Sequence, residues 1–598
     1  MAEKIRSREE IAREDTWAIE DLYASDEAWM QDLEKLKGLG AKLPEYAGKL
    51  AKSAQTLLEY QKLGEEISVL LDSLANYAQR KSDEDTRNAV YQDLTGKLTK
   101  VWVQLGAVTA FEVPELLSIS DEQMEAYYEA EPALNLYRRH FDSIRRKRAH
   151  ILSESEEKLL AMAGEMAGTP EEVYSLFADA DLTFRPALDA NGEEHPITQG
   201  SYIAAMESPD RTLRKNAFES LYAGFGAYKN TVAAMLAGQV KQLEFFSKAR
   251  NYASPLEASL DATEVPVSVY HELIEAVHQN MDKMHRYMRL RKKLLGVSEL
   301  HMYDLYTPLV AASEERIPFA EAKKTVAQAL GVMGERYGKI LQEGFNNRWI
   351  DVYENTGKRS GAYSAGARVH PYVLLNYTGT LDSEFTLAHE MGHAIHSYLS
   401  NKTQPIVYSD YVIFVAEVAS TCNEALLMQH LLKTTTDKKQ RAYLINHFLE
   451  QFRTTLYRQT MFAEFELKMA ELSAQGVTLT ADVLCEEYRK LNALYYGEDV
   501  VLDEEIALEW ARIPHFYYNY YVFQYATGYA AAIALSEGIL REGEPAVERY
   551  LGFLSGGCSK SPIELLKGAG VDMTTAEPVN QALELFSKLL DEMEALTA

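Results

Sequence analysis

The sequence predicts a mainly α-helical protein carrying one small β-sheet. Three observations support this: apolar residues recur at helical three-four spacing through most of the first about 180 residues, a His-Glu-x-x-His run lies inside an apolar helix, and short glycine-bounded strands precede that run. At 598 residues the chain is too long for one simple core and calls for two or more domains. Its composition, 47% hydrophobic and 25% charged, is that of a globular protein, and a net charge of -28 sets it against nucleic acid, whose phosphates it would repel. No long uncharged apolar span calls for a membrane, and the charged start Met1–Glu10 lacks the apolar core of a signal peptide, so a cytoplasmic protein is expected. Cys422, Cys485 and Cys558 are widely spaced, form no C-x-x-C pair and suit a reducing compartment; Cys422 is expected to pack as a small apolar residue.

In chain order, Leu63, Ile67, Leu70, Leu71, Leu74, Tyr77 and Ala78 mark one buried helical face. Asn191-Gly192, between Leu182-Thr183-Phe184 and His195-Pro196-Ile197, reads as a hairpin turn and divides an N-terminal helical lobe, 1–190, from a second domain, 191–598. Gly357 to Gly366 and His370 to Tyr377 read as short strands, whose exposed edge can hold an extended peptide by main-chain hydrogen bonds. Neither phosphate-binding glycine pattern is present, which discounts a nucleotide ligand.

His389-Glu390-Met391-Gly392-His393 carries the chemistry. A helix turns about 100° per residue, so His389 and His393 share a face and can grip one metal ion. Glu390 projects beside them, where it can reach a water without becoming a ligand. With 14 His and 89 acidic residues, chance would produce this pattern about a few times in a hundred such chains, so context matters. Leu381-Asp382-Ser383-Glu384 offers an N-cap, and Phe385, Leu387, Ala388, Met391, Ala394 and Ile395 make the helix apolar enough to be buried.

A catalytic zinc site needs a third protein ligand and keeps a position open for water. Tyr411 to Leu427 is an apolar run broken by Glu417 and Glu424, and an unpaired buried carboxylate is costly. They stand two helical turns apart; Glu417 is read as the ligand, and Glu424 either orients a histidine or pairs with a Lys or Arg. Downstream, Ile513 to Tyr529 is dense in tyrosine and contains His515. Phenols are neutral donors at pH 7, suited to a developing oxyanion, although most of these rings are expected to be core aromatics.

Taken together, the segments GKRSGAYS (Gly357 to Ser364), HPYVLLNYTGTLDSEFTLAHEMGHAIH (His370 to His396), FVAEVAST (Phe414 to Thr421), IPHFYYNYYVFQYATG (Ile513 to Gly528) and SGGCSKSPIELLKGAGVDM (Ser555 to Met573) resemble the M3 zinc metallopeptidases of the oligoendopeptidase F type. Weaker similarity reaches Asp21-Leu22-Tyr23 and Tyr303-Asp304-Leu305-Tyr306, so that nearly the whole chain is covered. The resemblance implies His389, His393 and Glu417 as ligands of one zinc ion, Glu390 as general base, and His515 as a group that binds substrate and stabilises the tetrahedral intermediate. It implies one or two tyrosines in the same role, Tyr521 and Tyr525 on one helical face, with Tyr520 the competitor. Gly361, Ala362 and Tyr363 match a substrate-binding edge strand. The implied fold is a large helical zinc peptidase with a small sheet by the active site and a deep channel that admits short unfolded peptides. A dipeptidyl carboxypeptidase resembling angiotensin-converting enzyme shares the His-Glu-Met-Gly-His pattern and is the rival activity; a non-catalytic helical peptide-binding protein is the rival class.

Overall fold

The structure, a computed structural model, describes residues 5–310 and 316–598. The first four residues of the charged start therefore lie outside it. The chain is 72% helical, and among the described residues the sheets have only two or three strands, as the spacing predicts. It packs into two units that each draw on several stretches of sequence: residues 1–149, 315–429 and 535–570 form the first, and 150–314, 430–534 and 571–598 the second. The reading into 1–190 and 191–598 divides the sequence; packing groups residues 150–190 with the second unit.

In the first unit, helices Asp26–Gly40, Ala54–Glu84 and Ala89–Val108 pack around Trp29, Leu33, Leu57, Leu74 and Tyr77. Ser25 and Ser53 cap the first two, each accepting a backbone N–H. The predicted face of Ala54–Glu84 is buried at Leu63, Ile67, Leu70, Leu74, Tyr77 and Ala78, while Leu71 is half-buried against the same cluster.

The small sheet also belongs to this unit. Tyr372–Leu374 is its middle strand, parallel to Ile350–Asp351 and antiparallel to Tyr363–Ala365, which forms one edge. Trp17, Ala367, Tyr372 and Leu374 pack together. The glycine-rich loop before the edge strand is held by a lysine: Lys358 is fully buried, 2.7 Å from Asp351 Oδ1, and donates to the Tyr353 and Leu375 carbonyls at 2.7 and 2.6 Å. Arg8 donates to the same Asp351 and lies 3.3 Å from Glu84, so two cations meet two carboxylates.

The second unit is built from helices including Arg211–Gly226, Lys229–Ala249, Val267–His278, Arg458–Ala474, Ala481–Tyr496 and Glu577–Leu596. Several of its buried charges are paired too, Arg291 and Arg453 with Glu450 and Arg458 with Glu509. The hairpin turn falls at Asn191-Gly192 with Gly192 at φ 83°, but the strands are Ala187–Leu188 and Glu194–His195. The expected first strand, Leu182 to Phe184, lies outside the ladder. Helical turns run on to Asp181, and Asp189 Oδ1 then draws the Asn191 and Glu193 N–H groups into the turn, so pairing starts only beside it.

Candidate active site

The helix Leu381–Thr403 presents the His-Glu-x-x-His run. Its N-cap is Thr380, one residue before the expected stretch: Gly379, at φ 79°, turns the chain, and the extended Thr380 accepts the Ser383 N–H at 3.2 Å. Phe385, Leu387, Ala388, Met391, Ala394 and Ile395 are buried as expected. The next long helix, Ile413–Thr434, carries Glu417 and Glu424.

A small residue sets the distance between these helices. A Cβ added to Gly392 would lie 2.6 Å from both the Ala419 carbonyl oxygen and the Ser420 Cα, so only glycine lets the backbones approach this closely. A strut fixes the register. Asn423, fully buried, donates to the Ala388 carbonyl at 3.0 Å and accepts from the Tyr337 hydroxyl at 2.7 Å. Neither contact is visible in a list of metal-binding residue types, although an asparagine inside an apolar helix signals that a partner is needed.

Nε2 of His389 and Nε2 of His393 lie 3.4 and 3.5 Å from the same Glu417 oxygen, and the two rings stand nearly perpendicular with centroids 4.9 Å apart. Ligand atoms arranged tetrahedrally about zinc at 2.0–2.2 Å are separated by roughly 3.3–3.6 Å. The donor set fits such an ion in chemistry and in spacing, and His389, His393 and Glu417 form a three-residue group able to hold a metal. Glu424 Oε2 sits 3.3 Å from His389 Nδ1, on the opposite side of the ring, where it turns Nε2 toward Glu417. Of the two roles open to Glu424, the structure places it beside this histidine.

The electrostatics are tightly linked. Burial alone would lower the His389 pKa, but hydrogen bonds to Glu417 and Glu424 outweigh it and hold the imidazole well above its ordinary value. Burial would likewise raise Glu417, yet the two histidines hold it far below the carboxylate range. Glu390 is buried, which pushes its carboxyl up, and its Oε2 has no protein partner. One turn on, fully buried His396 stacks flat on Tyr411 at 3.7 Å; burial and the nearby His393 lower its pKa to about 3, so it adds no positive charge beside the group.

The edge strand lies beside the same helix, since a Cβ on Gly366 would be 3.0 Å from Ser397. Gly361 is exposed at φ 82° with open space around it, and Ala362 is half-buried. Tyr363 pairs with Leu374, while its hydroxyl donates to Asp83 at 2.5 Å under the Arg80 guanidinium. Its side chain is therefore engaged within the protein.

In the second unit, His515, Tyr521 and Tyr525 form a half-buried cluster. The His515 ring lies 6.3 Å from Tyr521 and 6.0 Å from Tyr525, whose own rings are 5.3 Å apart. Burial lowers the His515 pKa, which favours the neutral ring. The helix begins only at Phe523, so Tyr521 sits in the preceding turn and does not share a helical face with Tyr525. Tyr520 is 4% exposed with its ring edge-on to Tyr270, whereas Tyr518, not singled out from sequence, is exposed and 5.5 Å from His515.

Fold and donor set together define a helical His-Glu-x-x-His metallopeptidase. The chain belongs to peptidase family M3: the profile of that family matches residues 204–585, and that of oligopeptidase F matches residues 115–184. It is an enzyme, a metallopeptidase of the oligoendopeptidase F type. It is 47% identical over 596 residues to oligopeptidase PepF of Bacillus subtilis, covering 100% of this chain and 89% of that protein. Among solved structures it matches oligoendopeptidase F from Enterococcus faecium, with 38% identity, a TM-score of 0.74, and 96% and 99% of the two chains covered. A Chlamydophila abortus structure, described as a candidate peptidase, matches with 36% identity and a TM-score of 0.94 over 99% of this chain and 100% of that one.

Proposed function

We propose that this enzyme cleaves internal bonds of short, unfolded peptides, using one zinc ion held by His389, His393 and Glu417 and Glu390 as general base. The observation that carries the reading is the convergence of both Nε2 atoms on one Glu417 oxygen, at 3.4 and 3.5 Å. Zinc bound there would supply Lewis acidity, polarising the scissile carbonyl and lowering the pKa of attacking water toward about 7. Glu390 takes the proton of that water on its unpartnered oxygen and later returns it to the leaving amine. Glu424 keeps His389 in the orientation that leaves Nε2 available. The hydroxyls of Tyr521 and Tyr525 are hydrogen-bond donors, and with His515 they are assigned to the substrate and its developing oxyanion. The edge strand at Gly361, Ala362 and Tyr363 offers main-chain hydrogen bonds to an extended peptide. The names of the relatives, oligopeptidase and oligoendopeptidase, support a peptide substrate cut internally. Among the described residues no helix is long and apolar enough to cross a membrane, and cytoplasmic residence remains part of this proposal.

The test is cleavage of a quenched-fluorescent peptide with a blocked C-terminus. Internal cleavage that a chelator abolishes and zinc restores is expected, and Glu390→Gln should keep its zinc while losing about 10²–10⁴-fold in kcat. Stepwise release of dipeptides only from free C-termini would overturn the endopeptidase reading in favour of the dipeptidyl carboxypeptidase. A fully active Glu390→Gln enzyme would remove the base.

A further inference from the structure

Between His515 and the helix Phe523–Glu542 the chain makes a turn in which two consecutive residues, Asn519 and Tyr520, have positive φ, 56° and 59°. Neither is glycine; asparagine enters the left-handed region more easily than most residues, but the bulky Tyr520 is strained there by contact between its Cβ and the backbone. Such strain survives only where the surroundings over-determine it. Two buried polar side chains of the second unit do so here. Glu466, fully buried on the helix Arg458–Ala474, accepts the Tyr520 N–H at 3.0 Å, while its other oxygen has no protein partner. Gln239, 3% exposed on the helix Lys229–Ala249, donates to the Tyr517 carbonyl at 2.9 Å and to Asn519 Oδ1 at 2.8 Å. The Tyr520 ring, seated against Tyr270 at 5.8 Å, closes the third side.

The mechanism gives these residues no chemical task, yet they grip the chain within two residues of Tyr517 and Tyr521, between His515 and Tyr525. The turn also delays the start of the helix to Phe523 and so decides where Tyr521 points. We propose that Glu466 and Gln239 are positioning residues that hold the Asn519–Tyr520 turn in its strained form and thereby set the arrangement of His515, Tyr521 and Tyr525 for the substrate peptide. This rests on the reading above that the His515 cluster binds substrate. A leucine at 466 leaves the Tyr520 N–H without its acceptor, and the turn relaxes toward ordinary φ, carrying Tyr521 away from His515. Glutamine keeps an acceptor oxygen at the same place.

Steady-state kinetics on a quenched-fluorescent peptide, with zinc content and melting temperature measured alongside, test this on the full-length zinc enzyme. Glu466→Leu is expected to lower kcat/KM by about tenfold with zinc content unchanged, the size set by strain of order one such residue. Glu466→Gln, which keeps the acceptor, should bring kcat/KM back toward wild type. Gln239→Ala, the milder break, should move kcat/KM in the same direction and serves if the leucine variant does not fold. Unchanged kcat/KM in Glu466→Leu or in Gln239→Ala, or a defect in Glu466→Gln as large as in Glu466→Leu, overturns the inference. His515→Ala is the separate control: if it leaves kcat/KM unaltered, the substrate-binding reading of the cluster fails, whatever the turn variants do.

Discussion

Gly392 is the residue on which the spacing of the metal group depends. Its hypothetical Cβ meets backbone of the neighbouring helix at 2.6 Å, and backbone cannot swing aside as the end of a side chain can. Gly392→Ala should therefore cost about 1–3 kcal/mol in a urea unfolding measurement and weaken zinc binding, because the helix carrying Glu417 is pushed outward. Asn423 acts by a different route. Asn423→Ala strips the Ala388 carbonyl and the buried Tyr337 hydroxyl of a partner, and zinc affinity measured by chelator competition should fall about 10–100-fold, as when supporting partners of metal ligands are lost. An unchanged affinity would make Asn423 a purely local packing residue. The sequence displays ligand types and their spacing, so the group of His389, His393 and Glu417 was legible there as a candidate; it says nothing of what a small residue or an amide touches across a helix pair. Gly392 passed as an unspecified motif position, and Asn423 stood unremarked beside Glu424.

Elements were legible in proportion to the periodicity they display. The helix Ala54–Glu84 repeats its apolar face for many turns, and the apolar Leu381–Thr403 identifies itself. Two-residue strands have no period to display. Leu300–His301 pairs with Val500–Val501 some two hundred residues away, a partnership no local pattern announces. The tyrosine segment shows the same limit: dense aromatics suggested a helical face, whereas left-handed Asn519 and Tyr520 interrupt it, and positive φ at such residues is held by tertiary contacts with Glu466 and Gln239 that lie far away in sequence. Glu466 also carries a pH signature. Burial raises its carboxyl from an ordinary 4.5 to about 8. Between those values the folded protein keeps a proton that the unfolded chain gives up, so this group makes folding less stable as pH rises through the window. The melting temperature of wild type should accordingly fall relative to Glu466→Gln between about pH 5 and 8. A constant difference would mean that the carboxyl titrates normally.

For the molecule as a whole, metal uptake and protonation are one equilibrium. In the metal-free protein Glu417 and Glu424 hold a proton on His389 above the ordinary imidazole range, and that proton must leave before an ion can bind. Zinc affinity of the apoprotein should thus climb as pH rises above the ordinary imidazole range, with proton release detectable by calorimetry in buffers of different ionisation enthalpy. A pH-independent affinity would show that His389 is already neutral. The charge of -28 was legible at once, whereas the interleaving of chain segments was not, because a division by packing leaves no compositional seam.

That interleaving separates, along the chain, the candidate metal ligands from part of their own packing. The helix bearing both histidines leans on Phe553, whose ring is 5.3 Å from His396, and Cys558 donates its N–H to the Tyr408 carbonyl at 3.0 Å, both from the segment 535–570. During synthesis the histidines and glutamates are made well before this last segment of the first unit. A chain halted at residue 530 would own His389, His393 and Glu417 and still lack the segment 535–570 that packs with them in the first unit.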